Sequence, residues 1–75
     1  MTSADLADKF VKMLLRDIGG SQRRWRAVMG KVKVYSTDTH AHCNWAIDPT
    51  GDAGENAAIE RIADRLRGEY PIVSE

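Results

Sequence analysis

Hydrophobic positions recur along this chain with two different periods, and the change of period divides it into elements. Between Ser3 and Ile18 the period is helical. Leu6, Phe10, Leu14 and Ile18 come every four residues, with Ala7, Val11 and Leu15 beside them, which makes one broad apolar stripe. Thr2 or Ser3 supplies an N-cap oxygen, and Asp5 in the first turn suits the positive end of the helix dipole. Gly19-Gly20 stops the helix, because a left-handed residue after the last turn costs glycine least.

A second helix is predicted after Pro49. Asp52 with Glu55 has the spacing of a capping box, with Thr50 as the alternative cap. Ile59, Ile62, Ala63 and Leu66 then stand at i, i+3, i+4 and i+7, a narrow apolar face among charged neighbours. Gly68 is expected to close this helix, and Pro71 forbids its continuation.

Between the two helices the period falls to two. Val28, Gly30, Val32 and Val34 alternate with Met29, Lys31, Lys33 and Tyr35, then Ser36-Thr37-Asp38-Thr39 makes a polar turn. Ala41, Cys43, Trp45 and Ile47 alternate with His42, Asn44 and Ala46 as a returning strand that Asp48-Pro49 ends. Ser21 to Arg26 stays open between a single helical turn capped by Ser21 and an extension of the first strand. Ile72-Val73 is either a short third strand, parallel to the second, or a loose tail.

A hairpin alone is marginal in water, and two helices laid on one of its faces complete a core. The expected fold is therefore a small two-layer α+β domain of order αββα, with room for the third strand at the C-terminal end. Its expected core is Leu6, Phe10, Val11, Leu14, Ile18, Val32, Val34, Cys43, Trp45, Ile47, Ile59, Ile62 and Leu66. At least one sheet edge stays unpaired unless something covers it.

With 75 residues there is room for one domain, residues 1–75, and none for a separate catalytic lobe. The single cysteine, Cys43, excludes an intrachain disulfide and any metal site needing two thiolates. Met1 to Asp5 lacks the basic start and apolar core of a secretory signal, and Met13-Leu14-Leu15 is the longest run of large apolar residues, so neither export nor a membrane partner is expected. A cytoplasmic location is the expectation that follows.

Eleven Lys and Arg balance eleven Asp and Glu, so no overall basic field advertises nucleic acid. The order of the charges is more informative. Residues 1–37 carry eight bases and three acids, a balance of +5, and residues 38–75 carry the reverse, −5. Arg23, Arg24 and Arg26 around Trp25, followed by Lys31 and Lys33, form a candidate anion or nucleic-acid contact in which Trp25 stacks on a base. The competing reading gives the cations to a solvated sheet face and Trp25 to the core.

Other chemistry is thinner. His40 and His42, two apart on a strand, share a face and are candidate metal ligands, with Asp38 or Asn44 the nearest further donors. On a strand Cys43 points the other way, which separates it from His42 as a nucleophile from its base. Asp48, Asp52 and Glu55 are explained by helix capping. No phosphate loop, dinucleotide fingerprint or nucleophile elbow is present. The sequence thus leads to the expectation of no enzyme and no cofactor. What remains is a small interaction module, an adaptor, inhibitor or regulator of a larger protein that is expected also to self-associate, with Met13, Leu15 and Trp45 as its candidate interface. A nucleic-acid binder using residues 23–33 is the alternative.

Overall fold

The computed structural model describes all 75 residues, in the order helix, helix, strand, strand, helix. Helix α1 spans Ser3–Asp17, and its start is a complete capping box. Thr2 Oγ1 accepts from the Asp5 N–H at 3.1 Å, while the Thr2 N–H donates to Asp5 Oδ2 at 3.1 Å. The helix buries Leu6, Phe10, Val11 and Leu14. It ends as expected, with Gly19 and Gly20 at φ of 94° and 91°. Ile18 sits on the wrong side of that stop: as the C-cap residue it swings out and is 54% exposed, so it leaves the predicted core.

The largest departure from expectation comes next. Gln22–Met29, QRRWRAVM, is a helix, α2, capped by Ser21, whose Oγ accepts from the Arg24 N–H at 3.3 Å. Trp25, Val28 and Met29 stand at i, i+3 and i+4 and are all buried, so Val28 belongs to a helical face and not to a strand. Gly30 ends the helix. The hairpin that follows keeps two residues on each side, Lys33–Val34 as β1 and Trp45–Ala46 as β2, antiparallel with Lys33 opposite Ala46 and Val34 opposite Trp45.

Helix α3 spans Ala53–Glu69 and has the predicted Asp52–Glu55 capping box. It runs through Gly68 to a C-cap at Tyr70, whose N–H donates to Leu66 O at 2.7 Å. The residue that forbids continuation is Pro71, not the glycine. No helix is long and apolar enough to cross a membrane.

The core is more helical than a two-layer picture suggests. α1 packs on α3 and α2 packs on both, so Leu6, Phe10, Leu14, Met29, Ile59 and Leu66 lie fully buried among three helices. The small sheet attaches to this core through Trp45. Its ring meets Phe10 edge-on at 5.7 Å and 86°, and its Nε1–H donates to Tyr70 O at 2.8 Å. Val34, Cys43 and Ile47, expected inside, are only half-buried against this cluster.

Ile72-Val73 forms neither a third strand nor a loose tail. Asn44, 3% exposed, clamps Val73 from both sides of its side-chain amide: Nδ2–H donates to Val73 O at 2.7 Å and Oδ1 accepts from the Val73 N–H at 2.8 Å. The Asn44 N–H donates to Pro71 O as well. Beyond the clamp, Ser74 forms a parallel bridge with Thr2, with Ser3 N–H to Ser74 O at 2.7 Å and Ser74 N–H to Met1 O at 3.0 Å.

Candidate functional site

The basic segment 23–33 is divided by the fold. Arg24 lays its guanidinium across the Glu55 carboxylate, Nε to Oε2 at 2.9 Å and Nη2 to Oε1 at 2.8 Å. Arg26 holds Asp8 at 2.6 Å. Trp25 lies between them, 6% exposed, with its Nε1–H on Gly19 O at 2.7 Å, so its faces are closed to a stacked base. Arg23, Lys31 and Lys33 are exposed and make no ion pair. The opposed charges of the two halves of the sequence therefore meet in part inside the fold, through Arg24 and Glu55.

The apolar interface candidates are likewise spent on packing. Trp45 is 3% exposed, and the Arg67 guanidinium covers its ring 5.3 Å from the centroid. Burial of this kind removes it as a surface anchor. Met13 and Leu15 are half-buried against the core.

His40 and His42 do not lie on a strand, so the shared face expected of them is lost. The His40 ring stacks on Tyr35 at 4.4 Å and its Nδ1 lies 2.9 Å from Thr39 Oγ1, while His42 is exposed. No group of three or more His, Cys, Asp or Glu side chains converges as a metal site would need. Cys43 is half-buried with its thiol directed at Trp45 O, 3.5 Å away.

What the fold leaves uncommitted is the outer edge of β1. The Tyr35 N–H donates to Asn44 O at 2.7 Å, so Tyr35 and Lys33 turn their backbone groups toward β2. By the alternation of an antiparallel ladder, Val34 turns its own outward, next to Val32. They open onto a cleft of about 470 Å³ lined by Ser3, Lys31, Val32, Lys33, Val34 and Glu75. Two free lysines and one acid, Glu75, carry its charge.

Protein-family models, curated proteins and solved structures yield no match to this chain.

A second cleft, of about 410 Å³, lies where the N-terminal ends of α2 and α3 approach, with Ser21, Arg24, Asp52 and Glu55 on its wall. Its geometry depends on Gly51. A Cβ there would stand 2.5 Å from Val28 Cγ1 and 2.6 Å from Glu55 Oε1, so only glycine lets the turn before α3 lie against α2. The Thr50 N–H donates to Val28 O at 2.9 Å, and Asn56 pins Gly51 by its N–H and its carbonyl.

The hydrogen bonds from Arg24, and then that from the Asp52 N–H, lower the Glu55 carboxyl from 4.5 to about 2. A carboxyl depressed in the folded state contributes stability that is complete above about pH 4.5 and fades as the pH falls to about 2. The stability advantage of the parent over Glu55→Gln is expected to shrink across that window, as read by urea unfolding at stepped pH. A constant difference would show that the pair adds nothing to the folded state.

The open edge itself is legible in the sequence as an unpaired strand. The residues across the cleft from it, Ser3 and Glu75, are not, because they arrive from the two ends of the chain.

Proposed function

We propose that this domain is a non-enzymatic interaction module that accepts an extended, acidic segment of a partner protein along the outer edge of β1. The observation that carries the reading is the outward-facing backbone of Val34, beside Val32 in an open cleft flanked by Lys31 and Lys33. An added strand gains affinity from main-chain hydrogen bonds and selectivity from the flanking side chains. Here the selectivity favours carboxylates. It also opposes a second copy on the same edge, because antiparallel self-pairing centred on Val32 or Lys33 sets lysine opposite lysine. A binding role is further supported by how the candidate chemical groups are occupied: Asp52 and Glu55 by the cap and Arg24, His40 by Tyr35 and Thr39.

The test is an NMR titration with a peptide of about ten residues alternating Glu and Val. Amide shifts confined to residues 31–35, weakened by salt, are the expected result. Val34→Pro removes an outward donor and leaves the bonds to β2 in place, so it is expected to abolish the shifts without loss of fold. Shifts located elsewhere would overturn the edge reading. A doubled mass by light scattering that Val34→Pro reduces to the monomer would replace the acidic partner by a second copy.

A further inference from the structure

A different face of the molecule concentrates positive charge. Lys9, Lys12 and Arg16 stand at i, i+3 and i+7 of α1, on one side of the helix, and they border a groove of about 270 Å³ shared with Arg65 and Glu69 of α3. Met13, half-buried, supplies part of its apolar lining. Four bases against one acid line this groove.

The neighbouring acids are engaged elsewhere. Asp5 is locked in the cap with Thr2, and Asp8 is held by Arg26. Asp17 meets Arg16 through Nε at 3.1 Å and leaves the outer nitrogens of that guanidinium free. Glu69 lies 3.7 Å from Arg65, a long contact. Lys9 places its ammonium 5.3 Å from the centre of the Tyr70 ring, at the same side of the molecule. Like charges at i, i+3 and i, i+4 repel along a helix, so Lys9, Lys12 and Arg16 disfavour the bare helix and favour any anion that bridges them. Seven residues separate the first from the last, about 10 Å along the axis. A row of that length matches a linear anion better than a single point charge, and the small groove admits a narrow chain.

We infer that the groove between α1 and α3 binds a linear run of phosphate groups, with Lys9, Lys12, Arg16 and Arg65 as the contacting cations. Inorganic polyphosphate and a single-stranded nucleic-acid backbone both present that chemistry. The site is independent of the β1 edge, so either reading can fail alone.

The experiment titrates the full chain with tripolyphosphate, with a short oligothymidylate and with oligoglutamate, by NMR and calorimetry at two salt concentrations. Expected are shifts at Lys9, Lys12, Arg16 and Arg65 with a phosphate probe, and, for the oligothymidylate, affinity about fiftyfold lower in 200 mM than in 50 mM salt. The better phosphate probe identifies the source. Lys12→Glu, an exposed change that gives Arg16 an acid at i−4, is expected to cut affinity at least tenfold while the protein stays folded. Lys31→Glu, on the β1 edge, is expected to leave this affinity unchanged. Absence of shifts at the four cations, oligoglutamate binding as tightly as the phosphates, or indifference to Lys12→Glu would each overturn the proposal.

Discussion

Trp25→Ala is expected to lower stability by about 3–5 kcal/mol, the range for truncating a buried large aromatic side chain. Three consequences of the substitution add up. The apolar contacts of a ring that is 6% exposed are lost, a cavity opens between α2 and the core, and the Gly19 carbonyl loses its partner. A domain this small has about 5 kcal/mol or little more in hand, so the variant should be largely unfolded under mild denaturant. Urea unfolding followed by circular dichroism reads the effect. Trp25→Phe keeps an aromatic ring in the core but drops the N–H and part of the indole, so it should cost less, about 1–3 kcal/mol. Were Trp25 a stacking platform for bases, both variants would keep the parent midpoint.

Asn44→Ala is the second large effect, about 2–4 kcal/mol. Its side chain is the only partner given to the Val73 N–H and carbonyl, both buried with it, and an unpaired buried group costs about 1–3 kcal/mol. Asn44→Asp separates the contributions, because a carboxylate still accepts from the Val73 N–H but offers the Val73 carbonyl no donor. Both variants should release the C-terminal segment, seen as faster hydrogen exchange at Val73 and Ser74 with α1 and α3 still protected. Unchanged exchange there would mean that the clamp does not hold the segment.

The long helices are legible in the sequence because their signals are local. Thr2 with Asp5 and Asp52 with Glu55 are caps three residues apart, and the apolar spacing of Leu6 to Leu14 and of Ile59 to Leu66 needs no distant partner. α2 is hidden by a coincidence. Val28, Gly30, Val32 and Val34 alternate as a strand would, yet Val28 also belongs with Trp25 and Met29 at helical spacing. Three arginines surround that narrow face, and eight residues form a stable helix only when packed on α1 and α3. Ile18 misleads for the opposite reason, since it continues the period one step past the point where the chain turns away.

The candidate site is legible only in part. Lys31 and Lys33 beside an open edge follow from the strand pattern. That Arg24 and Arg26 are consumed by Glu55 and Asp8 does not, because those partners lie 31 and 18 residues away. Asn44 reads as one more polar residue of an exposed face, and its burial depends on a backbone 29 residues further along.

The bridge between Thr2 and Ser74 has a mechanical consequence. The two end segments run parallel, so traction applied at Met1 and Glu75 slides one along the other, and the hydrogen bonds from Ser3 and Ser74 bear the load together, not in succession. Behind them stands the amide of Asn44. Drawn from its ends, the molecule resists as a lap joint resists, and its weakest direction is a sideways peel.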